Sequence, residues 1–358
     1  DTVSKADGGT FDGNVTMAGT LAVTGATTLT GGVSGNTTFS NNVTITGDLA
    51  SSTSGTSNFR AGVNAGNSIA SGGNFNTVVG DEAGTALTTG DDNTAFGYGA
   101  LYSEDAHGKN TAVGTNSLLT LNAGADGYNT AVGYFSGRLI TTGIRNTLIG
   151  SSSGVSLTSG NYNTALGYIA LDADTQGQSS VAIGYGSLTS QNFTSATDAY
   201  NVAVGLNAGN QVTTGISNTI VGGLAGDALT DADHNVAVGQ SALSADTKGS
   251  KNTAVGHSAL EAQNFTSSTS SYNTAIGSDA GKAISTGIQN VIIGSNAGDA
   301  LTDADFNVAI GYNVLSADTK GSRSVAIGRS ALGSQNFSSA TDTNNTAVGF
   351  GTGSSVTT

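Results

Sequence analysis

The sequence predicts an all-β chain, most of it a parallel β-solenoid of about sixteen short coils over residues 76–349. Three observations predict this fold. A five-residue phrase of the type NTAVG occurs sixteen times, closing at Gly80, Gly97, Gly114, Gly133, Gly150, Gly167, Gly184, Gly205, Gly222, Gly239, Gly256, Gly277, Gly294, Gly311, Gly328 and Gly349. A fixed short period of this kind is the mark of stacked supersecondary units. Within each phrase the residues alternate in the two-residue rhythm of a strand. Finally, all 358 residues include no Pro, as expected where nearly every backbone N–H serves a hydrogen-bond ladder.

Taken in order, residues 1–50 are β-rich runs punctuated by Gly13, Gly19, Gly25, Gly31 and Gly47. Residues 51–75 form a transition, 76–349 the coils, and 350–358 a C-terminal tail. Coil spacings run 17, 17, 19 and then 17, 17, 17, 21 three times, so a 72-residue unit of four coils has been duplicated. In the phrase, position two is Thr or Val and position four is Val, Ile, Leu or Phe, which should fill the inside of the coil. Asn, Ala and Gly occupy the other face, where small residues would admit a second backbone. Leu148, Ile220 and Ile292 interrupt the Ala column at 72-residue intervals, which implies burial there too.

Gly three residues before the Asn, as in TTGIR at 141–145, should supply the positive φ of a tight turn. The stretch after the phrase, such as HSAL, leaves room for a second short strand. The Asn column (Asn110, Asn129, Asn146, Asn163, Asn201, Asn218, Asn235, Asn252, Asn273, Asn290 and Asn307) should stack into an amide ladder. One coil buries too few side chains to offset the ordering of 17 residues. Packing of the Ala/Gly face against copies of itself would make up the difference, so a homotrimer is expected.

Composition narrows the function. With 25 acids against 11 bases and a net charge of −14, no basic patch favours nucleic acid. Without Cys there is no disulfide framework, zinc knuckle or thiol nucleophile. No apolar run approaches the length of a membrane span, so membrane insertion is not expected. The chain opens on Asp1 rather than Met, which points to a processed or truncated N-terminus.

No catalytic residues are assigned. GSSSG at 150–154 matches the nucleophile-elbow spelling, but lacks a helix signal and partners, so it reads as coincidence in a Gly/Ser-rich chain. His107, His234 and His257 lack metal-ligand spacing and read as solvent-facing loop residues. Asp227, Asp231 and Asp233 recur as Asp299, Asp303 and Asp305, with a looser version at Asp172 and Asp174. Such spacing caps turns or, alternatively, holds calcium, the one cofactor considered. Every fourth coil is four residues longer, with Phe193, Phe265 and Phe337 recurring in the added loop and Tyr200 and Tyr272 nearby. These aromatics either stack on a receptor glycan or tuck under their own loops.

The NTAVG and SVAIG phrases, with a small residue three places on, resemble the head repeats of trimeric autotransporter adhesins, the YadA-like heads. That resemblance implies three chains, each a left-handed parallel β-roll, around a common axis. The runs of residues 10–50 resemble the shaft of bacteriophage tail fibres, which implies strands of three intertwined chains sharing one core. The combination resembles a tail-fibre protein, and such fibres often end in a self-cleaving chaperone; the terminal GTGSSVTT is consistent with a mature product. The implied role is structural and adhesive rather than enzymatic, projecting a receptor-binding element toward a host. Implied partners are its own copies, other virion tail proteins and a host-surface glycan or receptor, with a location on the virion tail, outside the cell. The alternatives are the head of a bacterial surface adhesin and, from a different class, a polysaccharide-degrading β-helix enzyme.

Overall fold

The computed structural model describes residues 53–358, so the shaft segment expected over 1–50 lies outside the described residues. The described part is all-β and contains no helix. Seventeen three-residue strands, from Phe59–Ala61 to Thr346–Val348, form one parallel sheet in which each coil contributes one rung. Identical positions face each other along the stack: Ile149 pairs with Leu166, Leu166 with Ile183, and Ile183 with Val204. Neighbouring coils are joined by backbone bonds such as Thr147 N–H to Asn163 O at 2.8 Å and Gly150 N–H to Val132 O at 2.8 Å. The β-solenoid expected from the repeat is therefore observed. It has one coil more, because Asn58–Gly62 already forms a rung inside the segment read as a transition. Phe59 and Arg60 occupy the Thr and Ala positions there, which hid the match.

The facing of the rungs is the reverse of the expectation. The middle residue is fully buried in coil after coil (Val78, Ala95, Ala112, Leu148, Ile220, Ile292), and so is the Asn column. Positions two and four point outward and are half-buried or exposed. The interior is a thin space between one strand and the turns opposite, and it is filled by Ala with one or two Leu, Ile or Val per coil, such as Ile140 alone or Leu118 with Leu121. Larger middle residues enter where the turns have made room. A Cβ on Gly154 would lie 2.9 Å from the Leu148 side chain, and one on Gly209 2.9 Å from Ile220. The Ala face is thus consumed inside a single chain, and it supplies no surface for association between copies.

The Asn ladder forms as expected, and its geometry explains why Asn tolerates burial. Asn146 Nδ2 donates back to Asn129 Oδ1 (3.2 Å) and forward to Gly160 O (2.9 Å). Its Oδ1 accepts from the Asn163 backbone N–H at 2.9 Å. Each buried amide is therefore satisfied by the coils on both sides. Where Ser180 replaces Asn, Gln191 fills the gap: its Nε2 donates to Ser180 Oγ (3.0 Å) and its Oε1 accepts from Asn201 Nδ2 (2.9 Å). Gln335 does the same at Ser324.

Two turn assignments change. The Gly three residues before Asn does not supply the positive φ; the residue directly before Asn does, as at Arg145 (φ 59°), Tyr162 (60°) and Tyr200 (50°). Gly160 is needed for space, because a Cβ there would sit 2.4 Å from Gly177 O in the next coil. The Gly that closes the phrase meets both demands. Gly150 has φ +130°, and its Cβ would lie 2.4 Å from Gly167 O, so no other residue serves. The segment after the phrase is a turn rather than a second strand. The only other strands among the described residues are three two-residue pairs bracing the longer loops, Gly177–Gln178 with Thr197–Asp198 and its two 72-residue copies.

Candidate functional site

Because positions two and four point outward, the sheet presents a continuous face to solvent. Its centre is two parallel columns, one of Thr and Val at position two, the other of Val, Ile, Leu and Phe at position four. Phe96 is 54% exposed, Leu166 46% and Val348 63%. At about 4.7–4.9 Å per strand, seventeen strands extend for roughly 80 Å. With the flanking columns the strip covers on the order of 1,000 Å², more than the ~800 Å² per partner of a standard protein interface.

Two exposed columns flank the strip. The residues directly after the phrase Gly include Tyr98, Tyr134, Tyr168, Tyr185, Leu206, Tyr312, Arg329 and Phe350. Tyr168 and Tyr185 touch with centroids 5.7 Å apart, and Arg329 lies over both Tyr312 (5.8 Å) and Phe350 (5.6 Å). Directly before the Asn, Lys109, Tyr128, Arg145 and Tyr162 alternate cation and ring along successive coils, at 5.2–5.8 Å from cation to centroid. Arg145 also donates to the Tyr162 hydroxyl at 2.7 Å, and Lys251 to that of Tyr272 at 3.1 Å. The Lys251 contact pulls the Tyr272 phenol below its ordinary pKa. Lys109 pairs with Asp126, which raises the ammonium pKa, and Arg323 pairs with Asp342 at 3.0 Å. On a chain of net charge −14, these two columns and the strip hold five Lys or Arg and, as carboxylates, Asp81 and Asp92 alone among the described residues. Tyr, Phe and Arg beside a centre of Thr, Val and Ile, with few acids, matches the residue enrichment of protein interfaces. Spelling alone could not show this face, since it depends on which side of the rung is inside.

The residues proposed for glycan contact are divided by the structure. Phe193 and Phe265 are 6% and 7% exposed beneath their own loops, which withdraws them from any outside ligand. Phe337 is half-buried in the last long loop. Tyr200 and Tyr272 are exposed, in the column before the Asn.

The aspartate trios do not converge on a calcium site. Asp231 pairs with Lys248 at 3.6 Å, Asp233 accepts from the Ile216 N–H at 2.8 Å, and Asp227 lies apart, half-buried. Asp303 pairs with Lys320 and Asp305 accepts from Ile288 N–H, while burial raises the pKa of both Asp227 and Asp299. Alternation along a turn sends neighbouring carboxylates to different coils. Asp172 is half-buried, whereas Asp174 is fully buried, accepting from Gly177 N–H (2.9 Å), Phe193 N–H (3.2 Å) and Gln191 Nε2 (2.6 Å). Asp246 and Asp318 repeat this arrangement. In GSSSG the serine at the elbow position, Ser152, is half-buried in a turn whose N–H donates to Tyr134 O at 2.8 Å, and no helix follows it, so the strand–turn–helix setting of that motif is missing here.

His234 and His257 are exposed, as expected, but His107 is half-buried, with an enclosed Nδ1 that has no hydrogen-bond partner. Glu104, Asp105 and His107 form the one group of three His, Cys, Asp or Glu with converging donor atoms among the described residues. No helix there is long and apolar enough to cross a membrane. Comparison with protein-family models, with curated proteins and with solved structures returns no match for this chain.

Proposed function

We propose that the chain is a structural and adhesive fibre protein of the phage tail-fibre kind, associating as a homotrimer through the outward strip of its sheet. The observation that carries this reading is the outward face of seventeen rungs, a mostly apolar column of Val, Ile, Leu and Phe beside one of Thr and Val, with Tyr, Phe and Arg along its rims. Monomeric proteins rarely leave so long a row of exposed Val, Ile, Leu and Phe open to water. The internal register supports copies lying side by side, since every coil presents the same two columns at the same height. Trimerisation here replaces the expected Ala/Gly contact with a Val/Ile contact. A non-enzymatic role is supported by the way the fully buried Asp174, Asp246 and Asp318 spend their oxygens on backbone and amide donors. As a tail fibre, the assembly would hold a receptor-binding element away from the particle and contact a host-surface glycan or receptor.

Sedimentation equilibrium of the full chain tests the association. Three copies per particle are expected, and Ile183→Asp with Val204→Asp, on adjacent outward rungs, should give a monomer with an unchanged β-type circular dichroism spectrum. A monomeric wild-type chain in native buffer would overturn the reading. Immunogold labelling then places it: decoration of virion tails supports the fibre, and decoration of bacterial envelopes replaces it with a surface adhesin.

A further inference from the structure

The four-coil duplication allows one turn to be compared with its own copies. Six residues before the Asn or Ser of the phrase, Asp174, Asp246 and Asp318 are buried carboxylates at the same place. Each accepts the N–H of the Gly three residues on, and each receives an amide from Gln191, Gln263 or Gln335 of the next coil. Glu104 occupies this place in an earlier coil and is likewise fully buried. Its Oε1 accepts from the His107 backbone N–H (3.1 Å) and its Oε2 from Ala123 N–H (3.3 Å), the counterparts of the Gly177 and Phe193 contacts.

Two things differ there. The residue seven places past the next phrase Gly is Leu121 in place of Gln, so the side-chain donor is gone. Burial raises the pKa of the Glu104 carboxyl. The second difference is His107 where the copies carry Gly177, Gly249 and Gly321. Its Nδ1 is enclosed and makes no hydrogen bond, although its ring is 29% exposed. That nitrogen lies 3.5 Å from Glu104 Oε1. The distance is long for a hydrogen bond but close to the ~3.3 Å between two ligands on a tetrahedral zinc with bonds of about 2.0–2.1 Å. Asp105, half-buried beside them, offers a carboxylate oxygen nearby, the donor atoms of the trio all lying within 4.8 Å of one another.

We propose that Glu104, Asp105 and His107 bind a borderline divalent transition-metal ion, with zinc the reference ion, leaving one position to water from the exposed side of the imidazole. The ion would stand in for the hydrogen-bond donor that the Gln amide provides in the other copies. An imidazole with two carboxylates suits zinc; calcium, which takes six to eight oxygens, is not satisfied by this set. The turn is held in place before metal arrives: His107 O accepts from Asn93 Nδ2 at 3.1 Å, and Gly108 N–H donates to Asp126 Oδ1 at 3.3 Å. The role is structural, pinning the turn of this coil against the inserted loop at Ala123. It does not depend on the fibre reading or on the oligomeric state.

Isothermal titration of the full chain with zinc chloride, after dialysis against a chelator, tests the site. One zinc per chain is expected. Glu104→Gln and His107→Ala should each weaken binding about tenfold or more, while His234→Ala and His257→Ala leave it unchanged. The Glu104→Gln variant keeps the side-chain shape, and circular dichroism without metal verifies folding of both. Zinc-dependent movement of the His107 Nδ1 resonance, observed on the unmutated chain, gives a readout independent of any variant. No uptake of zinc, uptake insensitive to His107→Ala, or equal affinity for calcium would overturn the site. So would a His107 resonance that responds to pH but not to zinc, which would reduce the cluster to an ion pair.

Discussion

Replacing Asn146 with Ala tests the ladder at its most informative point. The substitution deletes an amide that is fully buried and bonded to both neighbouring coils. Gly160 O loses the 2.9 Å donor described above, and the Asn163 N–H loses its 2.9 Å acceptor. Neither can reach water inside the stack. At about 1–3 kcal/mol for each unpaired buried group, the expected loss is roughly 2–6 kcal/mol. The control is Thr142→Ala, four residues earlier in an exposed turn away from the strip, for which a change within about 0.5 kcal/mol is expected. Repeat stacks need not unfold in one step, so two measurements are needed: the guanidinium midpoint, and hydrogen exchange at Asn163 N–H. The Asn146 variant should lose protection at that amide and its neighbours before distant coils respond. If Asn146→Ala changed stability by less than about 0.5 kcal/mol, or Thr142→Ala matched it, the inward assignment of the Asn/Ala face would be wrong.

Gly150→Ala should lose more than the ~1–3 kcal/mol of backbone strain alone, since its Cβ would also lie 2.4 Å from Gly167 O; a melting temperature equal to wild type would contradict this. Leu157→Ala empties part of the thin interior and should cost about 2–5 kcal/mol in chemical denaturation, with a smaller loss showing that the coil collapses onto the gap. Asp174 should titrate above the ordinary aspartate value because burial disfavours its charged form. Its folded pKa being the higher, the stability it contributes is fully present below the unfolded pKa and is lost as pH rises through the folded value. A carboxyl ¹³C titration checks this, and a midpoint at or below 3.8 would refute it.

What was legible in the sequence was whatever repeats covalently. The rung, its period, the Asn ladder and the four-coil duplication follow from spelling, and Gly at the end of each phrase marks a place where only Gly fits. Facing was not legible, because hydrophobicity argues for Val and Ile inside. Most coils leave the middle position room only for Ala, and Asn enters the interior because identical neighbours satisfy the amide on both sides. The Gly before the Asn was assigned to φ when its constraint is distance, which depends on the next coil. Between the two expectations for Phe193, stacking on a glycan or tucking under its loop, burial decides for the second, with Asp174 accepting the Phe193 backbone N–H, a contact that no spacing announces. The Glu104 cluster has no motif spacing because three donors from one turn leave none. Its signal is the broken repeat, His107 for Gly and Leu121 for Gln.

The direction of the hydrogen bonds has a mechanical consequence. Bonds such as Thr147 N–H to Asn163 O run along the stacking axis, from one coil to the next. Tension along that axis therefore loads one boundary between coils at a time, and a lone stack would peel rung by rung at a modest force. Compression along the same axis is resisted by the close backbone contacts at every phrase Gly. A single chain is thus a strut rather than a cable. Lateral contact along the outward strip would share an axial pull among neighbouring stacks, so that every boundary would have to part in all of them at once.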